Sequence, residues 1–273
     1  MCGIFGILNN DKSIDLKDLA LLSDSMIYRG PDDKGIINKS KWAIGMRRLS
    51  IIDISGGHQP ISNSSNDIHL VCNGEIYNHI SLRKSLIDLG YTFKTNSDVE
   101  VILHLYQEYG CDAIQHLNGM FAFAIYDEKK DLLWLARDRI GIKPLYYCFK
   151  NNNFIFSSEL TGIAKITESS LSEESVIDYL AYSYVPAPKT IFNDIFKLMP
   201  AEELIIKGNS HQFNQYWKHD KCVNEHISLD GAAEELNLLI KDSIKLQLIS
   251  DVPLGIFLSG GVDSSAIASY AAD

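Results

Sequence analysis

The run Met120-Phe121-Ala122-Phe123-Ala124-Ile125-Tyr126 is apolar at every position. A β-strand points alternate side chains to opposite faces, so a strand of this composition must be covered on both sides. Asp127 to Asp131 reads as a charged turn, and Leu132 to Ala136 as the returning hairpin partner. Leu145 to Phe149 and Phe154 to Ser157, split by Asn151-Asn152-Asn153, read as a second hairpin. Ile4 to Leu8, Trp42 to Met46 and Ile68 to Asn73 are further strand candidates. Helical spacing appears between them. One helix is expected from a Ser13 cap through Leu19, Leu22 and Met26, and another through Leu82, Leu86 and Leu89 to a Gly90 stop. A third runs from a Ser97 or Asp98 cap through Ile102, Leu105 and Tyr109. Strands outnumber helices up to about residue 160, which predicts an α+β fold of packed sheets with helices outside.

From Leu171 the texture changes to helix over Glu173 to Tyr182, then to the Pro-punctuated Val185-Pro186-Ala187-Pro188. A boundary is expected between residues 195 and 225, and is placed so as to divide the chain into 1–205 and 206–273. Leu229 to Ile249 reads as one long helix. Pro253 to Leu258 reads as a buried-type strand leading into Ser259-Gly260-Gly261-Val262-Asp263-Ser264-Ser265 and a helix start, the first βα unit of a doubly wound α/β domain.

Composition narrows the function classes. Hydrophobic residues make up 46% and charged residues 22% of 273, which excludes a disordered chain. The net charge of -10 argues against nucleic acid or an anionic membrane as partner. No stretch approaches the ~20 apolar residues of a membrane span, and no basic region precedes the apolar N-terminal run. The five cysteines (Cys2, Cys72, Cys111, Cys148 and Cys222) are scattered and lack CxxC pairs. They fit a reducing, cytoplasmic setting better than a disulfide framework or a zinc site.

Several residues carry candidate chemistry. Cys2 follows Met1, and removal of Met1 would place a thiol beside a free α-amine of pKa ~7.7–8.0, a usable base for the neighbouring sulfur. The plainer alternative is a small apolar residue that opens a strand. Asn73-Gly74-Glu75 combines a side-chain amide with an unobstructed backbone N–H, the makings of an oxyanion hole; an ordinary Asn-Gly turn is the alternative. Arg48 is a cation held against the apolar Leu49-Ser50-Ile51-Ile52 run, or else a surface charge. Asp98 stands at a helix start, where it would also serve as an N-cap. In the second unit, the glycines of Ser259 to Ser265 allow close approach to a phosphate, and the following helix N-terminus supplies N–H groups. Asp263 offers a carboxylate for Mg²⁺. The loop has no lysine, which disfavours a Walker A site.

Taken in order, Met1-Cys2-Gly3-Ile4-Phe5-Gly6, Tyr28-Arg29-Gly30-Pro31-Asp32, Arg48-Leu49-Ser50-Ile51, Asn73-Gly74-Glu75-Ile76-Tyr77-Asn78, Ser97-Asp98-Val99-Glu100, Gly119 to Ala124 and Arg137 to Tyr146 resemble the glutaminase domain of glutamine-hydrolysing asparagine synthetases, class II amidotransferases with an N-terminal nucleophile. The resemblance covers nearly the whole chain. It implies a four-layer αββα sandwich of N-terminal nucleophile type, followed by the start of the synthetase domain. It also implies Cys2 as nucleophile and Asn73 and Gly74 as oxyanion donors. Arg48 would hold the glutamine α-carboxylate, Asp98 and the Gly74-Glu75 backbone its α-ammonium, and Leu49, Ser50, Ile51 and Ile52 would line the pocket. Ser259 to Ser265 is similar to the pyrophosphate loop of ATP pyrophosphatases, with Leu258 beside the nucleotide.

The resemblance implies glutamine, aspartate and ATP as partners, with Mg²⁺ and no prosthetic group. A homodimer is one assembly open to it. The activity implied is glutamine hydrolysis feeding ATP-dependent amidation of aspartate to asparagine through a β-aspartyl-AMP intermediate. Met120 to Tyr126 and Arg137 to Tyr147 would wall the ammonia path. Two other readings stand beside this one: a relative amidating another acceptor such as a sugar carboxylate, and a truncated module without turnover. Pro200-Ala201 stands where relatives carry Pro-Gly.

Overall fold

The computed structural model describes residues 2–9, 11, 13–150, 152–219 and 227–272. Cys222 and Asn151, singled out above, lie outside the described residues. One six-stranded antiparallel sheet contains β1 (Gly3–Asn9), β2 (Asp33–Asn38), β3 (Trp42–Arg48), β8 (Tyr146–Lys150), β9 (Asn153–Ser157) and β10 (Phe196–Lys197). The other contains β4 (Ile61–Ser62), β5 (Ile68–Ile76), β6 (Gly119–Asp127), β7 (Leu132–Arg137), β11 (Glu202–Lys207) and β12 (Ser210–Gln215). Strand order is β10-β8-β9-β1-β3-β2 in the first and β12-β11-β7-β6-β5-β4 in the second.

The doubly apolar run explains the layering. On β6, Ala122, Ala124 and Tyr126 face the other sheet and pack with Ile4, Leu8, Trp42, Ile44 and Met46. Phe121, Phe123 and Ile125 face outward onto α2 (His79–Asp88), α3 (Glu100–Tyr109) and the 3₁₀ segment Gly110–His116. The opposite sheet is covered by α1 (Leu16–Asp24) and α4 (Leu160–Thr167), with Phe5, Ile7 and Ile155 set against Leu19, Leu22 and Ile163. The central strands β1, β3, β5, β6, β7 and β9 are therefore buried along most of their length. Each fully buried Phe or Ile contributes roughly 1.5–3 kcal/mol. The four-layer αββα sandwich is the observed architecture.

Local chemistry moves the expected boundaries by a few residues. α1 starts after Asp15, whose carboxylate accepts the Lys17 N–H, and not at Ser13; Met26 lies beyond its end. α3 has Val99 at its cap, because the Asp98 carboxylate accepts from Ile76 across the structure. β5 continues through Gly74 to Ile76, since β6 pairs with it along its whole length. α5 (Glu173–Tyr182) starts at a Ser172 side-chain cap. The expected division at 205/206 cuts β11. The β11–β12 hairpin belongs to the second sheet and extends the first unit to Gln215. Ala201 adopts the left-handed φ of 57°, a conformation glycine takes without strain.

The second unit contains α6 (Leu229–Gln247) and α7 (Val262–Ala272). Pro253 to Leu258, expected as a buried strand, is neither: it carries no strand pairing, and Phe257 is 100% and Leu258 64% exposed. A strand needs a partner to satisfy its N–H and C=O groups, and no neighbouring strand is present among the described residues. No described helix is long and apolar enough to cross a membrane, and the four described cysteines are free thiols.

Candidate functional site

Both sheets deliver residues to one point. The antiparallel register of β1 against β3 pairs Gly3 with Arg47, which brings Cys2 to the Arg48 end of β3. From the other sheet, β5 brings Asn73, Gly74 and Glu75. Together with Leu49, Ile51, Ile52 and Asp98 these residues line a cavity of ≈ 180 Å³. Ser50 is the one expected pocket residue that does not line it; its N–H donates to Asp32 Oδ2 at 2.8 Å.

The Cys2 sulfur is held by the Leu49 main chain: the Leu49 N–H reaches Sγ at 3.4 Å, and Sγ lies 3.5 Å from the Leu49 carbonyl. Burial pushes the thiol up, opposed by the Leu49 N–H bond and by the positive charges of Arg48 and Lys143. Arg29 Nε donates to the Cys2 carbonyl at 3.0 Å, and its Nη1 pairs with Glu159 at 2.8 Å, so the backbone of the cysteine is anchored as well as its side chain.

Asn73 is 1% exposed, and its Nδ2 is buried without a hydrogen-bond partner. Leaving such a donor unmet costs about 1–3 kcal/mol, so its presence in a cavity beside a thiol is an observation with chemical content. Gly74 must be glycine here, because a Cβ would lie 2.3 Å from the Met120 carbonyl oxygen on the paired strand.

Arg48 is 4% exposed and already employed. Its Nη2 donates to the carbonyls of Ile52 and Asp53, each at 2.8 Å, and its Nη1 to Ile54 at 3.2 Å. Three of the five guanidinium N–H groups thus shape the loop that follows β3, and two remain for a ligand. Gly57 permits this, since a Cβ there would lie 2.4 Å from Nη2. Asp98 faces the same cavity, 4% exposed. Burial pushes its carboxyl up to about 6, although the Ile76 N–H donates to Oδ2 at 2.8 Å. Burial also pushes Glu75 up, partly offset by the charge of Lys143.

Three contributors carry no role in the glutamine pocket in the sequence reading. Lys143, 6% exposed, lines the cavity and is the second cation near Cys2. Gln59 lines it too, and its amide pairs with the Cys72 N–H (2.7 Å) and carbonyl (3.3 Å), standing in for a sheet partner where β4 is short. Arg29 is the third. Lys143 and Arg29 fall inside quoted motifs. Gln59 gives no local signal, because only the folded chain sets it beside Cys72.

In the second unit, Gly260 takes a φ of 82°, the Gly261 N–H points to Ser259 Oγ at 3.4 Å, and Ser264 Oγ lies 3.0 Å from Ser259 Oγ. Val262, Asp263, Ser264 and Ser265 form the first turn of α7. Leu258, Ser259, Gly260 and Gly261 precede it, all exposed. Among the described residues, no group of three or more His, Cys, Asp or Glu converges on a point, so Asp263 stands as a single carboxylate.

Residues 1–217 match the model of the glutamine amidotransferase domain, and residues 235–273 that of asparagine synthase. The chain is 37% identical to glutamine-hydrolyzing asparagine synthetase 3 of Bacillus subtilis, over 100% of this chain and 45% of the relative. It is 36% identical to glutamine-hydrolyzing asparagine synthetase B of Escherichia coli, over 98% of this chain and 44% of the relative. The chain thus spans about half the length of the curated relatives it matches. Among solved structures, the glutamine phosphoribosylpyrophosphate amidotransferase of B. subtilis, complexed with ADP and GMP, superposes with a TM-score of 0.62 at 18% identity. That superposition covers 99% of this chain and 64% of that one, and speaks to the fold. From the match over residues 1–217, this chain belongs to the glutamine amidotransferase family.

Proposed function

We propose that the first unit hydrolyses the side-chain amide of glutamine, with Cys2 as nucleophile. The observation that carries this reading is the unpartnered, buried Asn73 Nδ2 in the cavity that Cys2 lines. In the first step the Cys2 thiol proton passes to the α-amine freed by removal of Met1, and Sγ attacks the amide carbon. The carbonyl oxygen becomes an oxyanion, which accepts hydrogen bonds from Asn73 Nδ2 and the Gly74 N–H. Collapse returns the proton to the departing nitrogen, releasing ammonia and leaving a thioester. Water then cleaves the thioester to glutamate and restores the thiol. The two Arg48 N–H groups not bonded to the loop receive the α-carboxylate, and Asp98 with the Gly74-Glu75 backbone receives the α-ammonium. Charge-assisted bonds of this kind contribute about 1.5–3 kcal/mol each, enough to select a zwitterion over a neutral amide.

The finer reading concerns the whole protein. The ammonia serves ATP-dependent amidation of aspartate to asparagine through β-aspartyl-AMP, with Ser259 to Ser265 on the pyrophosphate and Leu258 beside the nucleotide. A nucleotide-bound Mg²⁺ would take Asp263 as one ligand, the remainder coming from phosphate oxygens and water. The domain division belongs between Gln215 and Leu229. The experiment is direct: purified chain is incubated with glutamine and glutamate is measured, with intact mass read on the same sample. Glutamate is expected from material lacking Met1, and none from Cys2→Ala of unchanged circular dichroism. Full turnover by Cys2→Ala, or by material that retains Met1, rejects the mechanism.

A further inference from the structure

Asp251 belongs to the second unit, yet it hydrogen-bonds to the loop that bounds the cavity in the first. Its main-chain N–H donates to the Ile51 carbonyl at 3.1 Å, and its Oδ2 accepts the Asp53 N–H at 2.6 Å. These are the hydrogen bonds described between residues 227–272 and the first unit. One residue, through its main chain and its side chain, thus grips both sides of Ile52, a cavity-lining residue whose carbonyl is in turn held by Arg48.

The gripped residue is the strained one. Asp53 has a left-handed φ of 53°, a conformation that costs a residue with a Cβ roughly 1–2 kcal/mol unless its surroundings hold it. They do. Its carboxylate accepts the N–H groups of Gly56 (3.1 Å) and Asn96 (2.8 Å), and its carbonyl accepts Arg48 Nη2 and the Gly57 N–H (2.8 and 2.9 Å). Its own N–H is the one polar group whose partner lies outside the first unit. That partner is a carboxylate, so the bond is charge-assisted and about twice as strong as a neutral one.

We infer that Asp251 is a positioning residue, contributed by the ATP-side unit, that fixes the Ile51–Asp53 loop in the shape that lets Arg48 receive the glutamine α-carboxylate. The inference rests on the glutamine reading above. It makes glutamine affinity depend on a segment eight residues ahead of Ser259, so the phosphate loop and the amide pocket share a mechanical connection. Linkage is reciprocal: whatever fixes the 251–258 segment would tighten glutamine, and glutamine would fix that segment.

The test compares Asp251→Ala with Asp251→Asn, which keeps an oxygen acceptor. In the active chain, Asp251→Ala should raise the glutamine KM about 5- to 10-fold with kcat changed less than about twofold, and Asp251→Asn should stay within about twofold in both. Calorimetric titration of glutamine into Cys2→Ala chains with and without Asp251→Ala reads the same difference in Kd without turnover. Hydrogen exchange at the Asp53 amide should speed up at least about tenfold in Asp251→Ala and not in Asp251→Asn. Equal glutamine affinity with and without Asp251→Ala overturns the inference. If the Cys2→Ala chain binds no glutamine, the functional reading fails separately, and an unchanged Asp53 exchange rate still rejects Asp251 as the fixing group.

Discussion

On the proposed mechanism Asn73 and Arg48 separate the chemical step from binding, which makes them a diagnostic pair. Asn73→Ala removes a donor needed only when the oxyanion forms, so kcat is expected to drop about 10²–10³-fold with KM little changed. Arg48→Ala removes a contact made throughout the reaction, so KM is expected to rise about 10- to 100-fold. Steady-state glutamate release distinguishes the two. Asp98 supplies a pH signature. With its carboxyl pushed up to about 6 by burial, it must lose its proton to receive the ammonium group in the proposed role. Glutamine KM should therefore rise as pH falls through about 6, and calorimetry near that pH in buffers of different ionisation enthalpy should detect proton release on binding. Folding stability carries the opposite sign: native Asp98 holds its proton in a range where the unfolded chain has lost it, so stability declines as pH climbs from the usual carboxylate range toward 6. Cys2, Asn73 and Asp98 were legible because their residue types stand at ordered motif positions. Arg48's grip on the Ile52–Ile54 carbonyls was not legible, because a guanidinium's partners depend on how the chain returns around it.

α3 shows how a buried charge is accommodated at the level of an element. Glu100 is 1% exposed, and its carboxylate accepts the N–H groups of Lys94 and Thr95, both at 2.8 Å, and the Thr95 hydroxyl at 2.6 Å. Burial opposes its charge, but the His104 imidazole and these donors outweigh it and hold the carboxyl at about 2. Glu100→Ala should therefore destabilise the fold by about 2–4 kcal/mol, read as a lower urea midpoint at unchanged m-value. The stabilisation from the carboxylate is fully present above its unfolded pKa near 4.5 and is lost as pH falls from there toward 2. Sequence periodicity anticipated β6, β7 and α5 nearly residue for residue, since double-sided apolar runs and helical texture are local facts. Pro253 to Leu258 shows the opposite case. Its composition suits a strand, but strand formation is decided by partners that pairing must supply from elsewhere, and the described residues supply none.

For the whole molecule, the hydrogen bonds between the two units among the described residues are few and converge on Asp251, while the core of the sandwich closes within the first unit. Residues 1–217 alone should therefore fold, unfolding in one cooperative urea transition, and retain the proposed glutaminase kcat within about twofold, with the raised glutamine KM of Asp251→Ala. Absence of a cooperative transition in that fragment would show that the units are structurally interdependent. The exposed aliphatic surface of the second unit has a different consequence. Leu229, Leu238, Leu239, Phe257 and Val262 are each 60% exposed or more. Opposing self-association through them is the repulsion between molecules of net charge -10. Added salt shortens the reach of that repulsion, to roughly 8 Å at physiological strength, while sulfate also strengthens apolar contact. Light scattering from this chain should accordingly climb with ammonium sulfate well before the sandwich itself unfolds, and dilute, low-salt buffer is the medium in which its monodisperse form should be sought.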